Sequence, residues 1–390
     1  MLEGIHKIHL IGIGGSGMRA IANILIQKGY EVSGSDVKES DVIERFRQMG
    51  ATVHIGHNAD YVQGVDAVVR STAIREDNPE IVAAKEQGIT ILHRSDIVKA
   101  VLDVTNGIAV AGAHGKTSTT SMIGQILVEG QMEPTVIIGG EVDYLKGSSC
   151  LGKGEYSVVE ADESDGSFLK LRPKTIVITN IEDDHMDHYK TMENLLNAFC
   201  QFVETLPVDG KAVVCGDNDN IRYVMGKVER QFITYGLEET NDYVAKNIHY
   251  EDSSLVYDVV RKGETLGRVS LRVPGNHNVL NSLASFIVTH ECCHVPVPTI
   301  VKALGKFIGA KRRFETKGHV AGVWVVDDYA HHPTEIRATL SAAKDYPHDE
   351  LWVIFQPHTY TRTKAFLPEF AKALEQADHI VLADIYAARA

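Results

Sequence analysis

The chain has 390 residues, of which 44% are hydrophobic, 23% charged and 7% aromatic, and its formal net charge is −13. This composition is typical of a folded globular protein, and the length favours two or three domains. The negative charge argues against nucleic-acid binding, because displacing phosphate counterions requires a dense cationic surface. The sequence contains no run of about eighteen apolar residues, so no membrane span is predicted. The cysteines lack CxxC spacing and the first residues lack a signal-peptide layout, so a reduced cytoplasmic protein is expected.

The first hundred residues predict an α/β domain. A strand is expected in HKIHLIGIGG, a helix in MRAIANILIQKG and a second strand in YEVSGSD. Gly12, Gly14 and Gly17 satisfy GxGxxG between strand and helix, where backbone N–H groups and the helix dipole can bind a diphosphate. Asp36 ends the second strand, at the usual place of a ribose-binding acid. Taken alone, these residues indicate a nicotinamide oxidoreductase, or a glycine turn that only packs helix on strand.

A further strand, glycine turn and helix follow in NGIAVAGAHGKTSTTSMIGQILVEG. A strict P-loop reads GxxxxGK[ST], and Val110 occupies its first glycine position, so the match is degenerate. Gly112, Gly115, Lys116 and Thr117 still supply an anion-binding turn, a lysine for the β- and γ-phosphates and a hydroxyl for Mg²⁺. Because Lys116 opposes the helix dipole, a bound phosphate is expected beside it.

Two acidic clusters follow apolar strands, in YSVVEADESD and TIVITNIEDDHMDH. The carboxyl ends of parallel strands meet at one edge of a sheet, so both clusters are expected near the phosphate turn. Closely spaced carboxylates repel one another unless a cation lies between them, which favours Mg²⁺ held by Thr117, a carboxylate and nucleotide oxygens. A zinc hydrolase is the rival interpretation, because His185 and His188 resemble ligands, but no third histidine has ligand spacing.

Residues 240–274 alternate apolar and polar side chains and predict an antiparallel meander. The next segment, PGNHNVLNSLASFIVTHECC, predicts a helix. Asn278 and Asn281 share one face at its start, and their amides can pair with an adenine edge. A helix cap plus a surface amide is the alternative.

The C-terminal part predicts a third α/β unit, with strands in VWVVDDYAHHPTEI, LWVIFQPHTYTRTK and HIVLADIYAARA and a helix in FLPEFAKALEQAD. The strand ends carry candidate polar residues, namely Asp327, Asp328, His331, His332, His358 and Arg362. Arg312 and Arg313 precede them and suit either a clamp on a transferring phosphoryl group or a solvated charge run.

Taken in order, the motifs GIGGSGM, GAHGKTSTT, EADESDGSF, NIEDDHMDHY, GNHNVLNSLAS, KRRFE, DDYAHHPTEI and FQPHTYTRT resemble those of the Mur ligases of peptidoglycan synthesis. The resemblance covers nearly the whole chain. It is strongest to the branch that joins L-alanine to UDP-N-acetylmuramate, and the branch that recycles a tripeptide is the alternative. It implies a three-domain α/β architecture, with a UDP-substrate-binding Rossmann-like domain at 1–100, a central P-loop ATP-binding domain with a mixed sheet at 101–312, and an incomplete Rossmann-like amino-acid-binding domain at 313–390.

The implied reaction uses ATP and Mg²⁺ to convert the sugar carboxylate into an acyl phosphate, which the amine of L-alanine then attacks. The residues implied for the UDP-substrate are Gly12, Gly14, Gly15, Ser16, Gly17, Met18, Asp36, Thr72 and Ala73. Those implied for ATP are Gly112, Ala113, His114, Gly115, Lys116, Thr117, Ser118, His277, Asn278, Asn281 and Arg313. The implied metal ligands are Thr117, Glu160 and His185, and the implied catalytic residues are Lys116, Glu160, His185, Arg313, Asp328, His331 and Arg362.

Three positions depart from the pattern of the family. Thr359 stands where many relatives have a second arginine, so Arg362 is expected to bind the alanine carboxylate alone. Ala330 replaces a common glycine. The third domain of the family usually extends beyond the equivalent of Ala390, so an incomplete third domain is expected. A monomer or weak homodimer is expected, with neither nucleic-acid nor membrane partners.

Overall fold

Three units with separate sheets follow one another along the chain, in a computed structural model that describes residues 2–251, 254–344 and 346–387. The N-terminal unit is a parallel sheet in the order β3-β2-β1-β4-β5, flanked by helices. Its strands are β1 (Lys7–Ile11), β2 (Glu31–Asp36), β3 (Thr52–Ile55), β4 (Ala67–Arg70) and β5 (Thr90–His93). Its helices are α1 (Ser16–Gln27), α2 (Asp41–Gln48), α3 (Pro79–Glu86) and α4 (Arg94–Leu102).

The central unit is a ten-stranded mixed sheet in the order β15-β14-β13-β12-β11-β10-β6-β9-β7-β8. Its strands are β6 (Asn106–Ala111), β7 (Thr135–Val142), β8 (Gly147–Cys150), β9 (Tyr156–Glu160), β10 (Thr175–Ile178), β11 (Lys211–Cys215), β12 (Gln231–Gly236), β13 (Tyr243–Glu251), β14 (Ser254–Arg261) and β15 (Glu264–Leu271). Its helices are α5 (Lys116–Glu129), α6 (Met186–Tyr189), α7 (Met192–Glu204), α8 (Asp219–Met225), α9 (Asn276–Glu291) and α10 (Val297–Lys306).

The apolar runs of the central strands explain their position in this sheet. All four residues of β10 are buried, as expected for a parallel strand that is covered by helices on both faces. The outer strands β13, β14 and β15 pair antiparallel, which confirms the predicted meander. The functional turns lie at the carboxyl ends of the parallel strands β6, β9 and β10.

The third unit contains two separate two-stranded ladders instead of one sheet. An antiparallel hairpin joins β16 (Glu315–Val320) to β17 (Val323–Asp327), and β18 (Trp352–Phe355) pairs in parallel with β19 (His379–Leu382). The helices are α11 (Pro333–Lys344), α12 (Tyr360–Ala365) and α13 (Leu367–Leu374). A small apolar cluster of its own holds α11 and α13 against β18, through Ile336, Leu340, Phe355, Phe370, Ala373 and Leu374.

Helix α1 of the N-terminal unit packs on β7 and on the edge strand β8 of the central sheet. Asn23 Nδ2 donates to Ser149 O at 3.0 Å, and Arg19 Nη1 donates to Glu141 Oε1 at 2.8 Å. One continuous buried core runs through both units, from Ile8 in β1 to Ile176 in β10. The three-unit α/β fold is thus confirmed, whereas the boundaries at 100 and 312 stay predictions, and α4 extends past the first. Among the described residues, no helix combines the length and apolar character that crossing a membrane requires.

Candidate active site

The phosphate turn connects β6 to α5, as the glycine pattern predicts. Gly112 has φ +129°, and a Cβ there would lie 2.3 Å from Thr179 Oγ1. Gly115 has φ +85°, and its Cβ would lie 2.4 Å from Asn281 Oδ1. Only glycine allows the turn to pass so close to its neighbours. Helix α5 begins after Gly115 with no side-chain cap, so its N-terminus can receive an anion.

Lys116 is held at the start of this helix by a buried carboxylate. Its Nζ lies 2.6 Å from Glu163 Oε1 and also donates to the carbonyl oxygen of Gly112. Burial lowers the pKa of Lys116, but the carboxylates of Glu163, Asp162 and Glu160 outweigh that effect and raise it above its ordinary value. Lys116 is therefore a fixed positive charge where a phosphate would bind.

Thr117 and Glu160 meet beside Lys116. The Thr117 hydroxyl donates to the Glu160 carboxylate, with Oγ1 3.2 Å from Oε1 and 3.1 Å from Oε2, and Gly139 N donates to Oε2 at 2.8 Å. His185 directly precedes α6 and has φ +59°, and its Nε2 lies 3.8 Å from Glu163 Oε1. A hydroxyl and a carboxylate are suitable oxygen donors for Mg²⁺, so this pair fits the expected metal.

An interdomain cleft brings residues of all three units together. Its lining includes Ser16, Gly17, Arg94, Ala113, Gly115, Lys116, Thr117, Glu160, Asp162, His185, Arg313 and His331. Arg94 of the N-terminal unit forms an ion pair with Asp162 of the central unit. Burial raises the pKa of Asp162, but Arg94 and Lys116 lower it well below its usual range. The start of α1 and the phosphate turn therefore face the same space.

A second cavity, the phosphate-loop cavity, lies between the phosphate turn and the third unit. Its lining includes His114, Gly115, Thr117, Ser118, Glu182, His277, Asn278, Asn281, Arg313, Asp328 and Glu335. Asn278 and Asn281 are buried under the turn, where Thr119 Oγ1 lies 3.3 Å from Asn281 Oδ1. The structure thus groups most of the residues expected for ATP, while the contact with adenine stays a prediction.

Glu335, in the first turn of α11, connects the third unit to the phosphate turn. Its Oε1 lies 3.3 Å from His114 Nδ1 and 3.5 Å from Arg313 Nη1, and its Oε2 accepts from His331 N at 2.9 Å. Burial raises the pKa of Glu335, but the surrounding His114, His331 and Arg313 hold it well below its usual range. This carboxylate therefore ties together three of the predicted site residues.

His114 lies between Glu335 and a second carboxylate, Glu182. Burial lowers the pKa of His114, but the two acids raise it to about 9. Asp328, directly after β17, accepts hydrogen bonds from the backbone N–H groups of Phe314 and Ala330, each at 2.7 Å. Burial raises the pKa of its carboxyl group.

The predicted amine pocket is only partly assembled. Arg362 lies 3.0 Å from Asp184 Oδ1, so in this arrangement its guanidinium neutralises a carboxylate of the central unit. His331 lines the interdomain cleft, and burial lowers its pKa. His188 is exposed against Tyr189 and lies outside both cavity linings, which removes support for a zinc hydrolase built on His185 and His188.

The first glycine turn is stabilised by Asp36. Gly12 has φ +72°, and Gly14 N donates to Asp36 Oδ2 at 2.9 Å. The acid is thus a partner of the turn itself, and its contact with a ribose stays a prediction. Met18 is only 3% exposed and belongs to the core, so its side chain is turned away from the cleft.

The loop after β4 carries the two remaining residues expected for the UDP-substrate. Thr72 and Ala73 are exposed there, and Thr72 Oγ1 lies 3.1 Å from Asp165 Oδ2. Neither residue lines the interdomain cleft or the phosphate-loop cavity. Their contact with a UDP-substrate stays a prediction.

Comparison with known proteins agrees with this geometry. Three family models match in succession, the Mur ligase family catalytic domain at 7–104, the Mur ligase middle domain at 110–289 and the Mur ligase glutamate ligase domain at 312–389. A UDP-N-acetylmuramate–L-alanine ligase of Desulfatibacillum aliphaticivorans is 46% identical over 384 residues, 98% of this chain and 84% of that protein. The chain belongs to the Mur ligase family.

Other relatives of this Mur ligase give the same result. A protein of the same name from Caldanaerobacter subterraneus subsp. tengcongensis is 46% identical over 390 residues, 100% of this chain and 85% of that protein. Among solved structures, the UDP-N-acetylmuramate–alanine ligase of Thermotoga maritima has a TM-score of 0.85 and 32% identity, covering 97% of this chain and 85% of that one. A murein peptide ligase of Psychrobacter arcticus has a TM-score of 0.78 and 28% identity, covering 97% and 84%.

Several residues of the Mur ligase site were not selected from the sequence. Glu163 stood in a recognised acidic cluster, but nothing in the pattern distinguished it from its neighbours as the partner of Lys116. Glu335 resembled an ordinary acid at a helix N-terminus. Glu182 and Arg94 gave no separate signal, because their partners lie far away in the sequence.

Proposed function

We propose that this Mur ligase joins L-alanine to UDP-N-acetylmuramate at the expense of ATP. The observation that carries the proposal is one interdomain cleft that contains the start of α1, the phosphate turn and the acids of β9 together. The identity of about 45% to ligases of that name, over nearly the full chain, supports the same substrates.

The proposed reaction has two steps. The lactoyl carboxylate of the UDP-sugar attacks the γ-phosphorus of ATP, which forms an acyl phosphate and releases ADP. The amine of L-alanine then attacks the acyl carbon, and the tetrahedral intermediate collapses to an amide with loss of phosphate. Because two anions must meet in the first step, positive charge has to be concentrated between them. Water has to be excluded until the amine attacks.

The residues of the cleft suit these tasks. Lys116 and Arg313 would place positive charge on the transferring phosphoryl group, and Thr117 and Glu160 would hold Mg²⁺ with His185 near a second ion. The metal, when bound, would neutralise phosphate oxygens. Asn278 and Asn281 would lie against the nucleotide, with His277 and Asp328 at the same cavity.

The amine side is the less complete part of the site. His331 and Arg362 would bind L-alanine, and Arg362 would have to exchange Asp184 for the substrate carboxylate. Thr359 replaces the second arginine of many relatives, so a single guanidinium would do this. A nicotinamide oxidoreductase is not retained, because that function gives Lys116, Thr117 and Glu160 no role.

Phosphate release with UDP-N-acetylmuramate, ATP and Mg²⁺ tests the proposal. We expect release with L-alanine and little with the tripeptide L-alanyl-γ-D-glutamyl-meso-diaminopimelate. Omission of the UDP-sugar is the control and should abolish release. Turnover with the tripeptide alone would assign the chain to the recycling branch, and absence of ADP with every amine would reject the ligase function.

We also propose that the protein acts in the cytoplasm, where its nucleotide substrates are made, as a monomer or weak homodimer. Sedimentation at several protein concentrations tests the oligomeric state. A stable tetramer would contradict it.

A further inference from the structure

A cluster of two imidazoles and a carboxylate lies where the phosphate turn meets the third unit. His114, Glu182 and His332 each present one ligand atom, and these atoms lie within 4.8 Å of one another. His114 belongs to the phosphate turn, Glu182 follows β10, and His332 directly precedes α11. The cluster therefore joins the central unit to the third unit at one point, and the proposed reaction gives Glu182 and His332 no chemical task.

One buried nitrogen of this cluster lacks a hydrogen bond. His332 is 3% exposed, and its Nε2 has no hydrogen-bond partner. The two ring nitrogens of His114 form ion pairs instead, Nε2 at 3.3 Å from Glu182 Oε2 and Nδ1 at 3.3 Å from Glu335 Oε1. A buried polar atom without a partner is uncommon in native proteins, so His332 Nε2 points to a ligand that the protein itself does not supply.

The distances suit a transition metal. Zinc binds histidine nitrogen and carboxylate oxygen at about 2.0–2.2 Å, so two ligands at a tetrahedral angle lie about 3.4 Å apart. The separation of 3.3 Å between His114 Nε2 and Glu182 Oε2 matches that edge. Metal-bound histidines usually present their other ring nitrogen to a carboxylate, and Glu335 Oε1 lies 3.3 Å from His114 Nδ1.

We propose that His114, Glu182 and His332 form a binding site for Zn²⁺ or Co²⁺, distinct from the Mg²⁺ site at Thr117 and Glu160. Two imidazoles and one carboxylate select such ions over Mg²⁺, which prefers oxygen ligands. A further ligand would have to come from the phosphate-loop cavity, which His114 and Glu182 both line. A bound ion would tie the third unit to the phosphate turn and so inhibit turnover.

Two existing features oppose the metal. His114, whose pKa the two acids raise to about 9, has to lose a proton before it can coordinate. His332 Nδ1 accepts a hydrogen bond from Thr334 N at 3.3 Å. Coordination through Nε2 requires the proton on Nδ1, so this bond has to be given up. It is longer than the usual range of about 2.7–3.2 Å, and its loss is therefore a small cost. A reversible, inhibitory site is expected, in contrast to a permanent structural one.

Titration of the full chain with Co²⁺, in excess Mg²⁺ and without nucleotides, tests the proposal. We expect one equivalent to bind with the intense visible absorption of four-coordinate Co²⁺. Glu182→Gln and His332→Gln should each weaken binding at least tenfold, whereas Glu160→Gln should retain it. No visible band, unchanged binding in both cluster variants, or loss in Glu160→Gln would overturn the proposal.

His188→Gln is the matched control, because His188 is exposed and lies outside the cluster. It should bind Co²⁺ like the parent protein. Thermal unfolding identifies any variant that does not fold. Glu182→Asp then serves as the second variant, because it keeps the charge but withdraws the oxygen by one methylene. Full binding in a folded Glu182→Asp protein would also count against the site.

A kinetic readout follows from the same variants. Zn²⁺ added to a turnover assay in excess Mg²⁺ should inhibit the parent protein at concentrations about tenfold below those that inhibit His332→Gln. Equal inhibition of both proteins would place the inhibitory ion elsewhere. Because the absorption experiment needs no turnover, a failure of the ligase function and a failure of the metal site are distinguishable.

Discussion

The two glycine turns of this Mur ligase share one backbone arrangement but differ in the side chains around them. In both, an inner parallel strand of a sheet is followed by a glycine turn and then by a helix, at β1–α1 and at β6–α5. The first turn has no lysine and takes its stability from Asp36, whose carboxylate accepts from Gly14 N. In the second turn, Lys116 forms an ion pair with Glu163, and the Thr117 hydroxyl donates a hydrogen bond to Glu160.

The comparison shows which part of the motif decides the chemistry. The glycines and the helix N-terminus create a place for phosphate in either turn. The side chains at the first two positions of α5 add a cation and a hydroxyl suited to Mg²⁺, which a transferable phosphate needs and a retained diphosphate does not. Changes in the two turns should therefore have separable effects.

The largest effect is expected for Lys116→Ala. Loss of the fixed charge that Glu163 holds at the phosphate turn should reduce ATP-dependent product formation by about 10²–10³-fold. Binding of UDP-N-acetylmuramate, measured by calorimetry, should stay nearly unchanged. Lys174→Ala is the control, because Lys174 is exposed and pairs with Asn106. An equal loss of UDP-sugar affinity would show that the two turns are not separable.

Glu160→Gln should have the next largest effect. The amide keeps the size of the side chain but removes the negative charge that Thr117 and Gly139 now contact, so the Mg²⁺ concentration for half-maximal turnover should rise by about 10–100-fold. Turnover rates measured at increasing Mg²⁺ concentrations test this shift. An unchanged titration would remove Glu160 from the metal ligands.

Asp36→Asn probes the first turn. The amide loses one acceptor for the N–H groups of Gly14 and Val37, which should loosen the turn and weaken UDP-N-acetylmuramate about tenfold, or about 1.4 kcal/mol. The KM for ATP should not change. Asp41→Asn, at an exposed site in α2, is the control. A raised KM for ATP with normal UDP-sugar binding would reverse the assignment of the two turns.

The smallest effect on activity is expected for Asn23→Ala. This change leaves Ser149 O without its donor at the junction of α1 and β8, and should lower the free energy of unfolding by about 1–2 kcal/mol. Denaturant unfolding measures it, with Gln48→Ala on the surface of α2 as control. Turnover at 25 °C should be preserved, and a large fall in kcat with normal stability would contradict a purely structural role.

The sequence predicted the elements that follow local rules. Both glycine turns, helices α1 and α5 and the meander β13–β15 lie where the patterns placed them, because apolar periodicity and glycine reflect local backbone geometry. The motif order was specific enough to indicate the family and the fold. The roles of the selected site residues stay predictions, even where the cleft and cavity bring those residues together.

What could not be predicted depends on contacts between distant segments. The bond from Arg94 to Asp162 and the position of Glu335 against His114 result from the packing of whole units. In the third unit, the predicted strand LWVIFQPHTYTRTK ends at Phe355, and its last residues form α12 instead. The short strands of this unit form two separate ladders. The sequence pattern shows that strands and helices alternate, but it does not show whether the strands pair in one sheet or in two.

The shared core of the first two units has a consequence for ligand design. Buried side chains run without interruption from β1 to the central sheet, whereas the third unit keeps its own small cluster. Swinging the first unit outward would expose that interior to water, while tilting the third would break mainly polar links such as Arg362 to Asp184. An inhibitor that reaches from the start of α1 to the phosphate turn therefore meets two units held by one core, and only the part that contacts the third unit must tolerate movement.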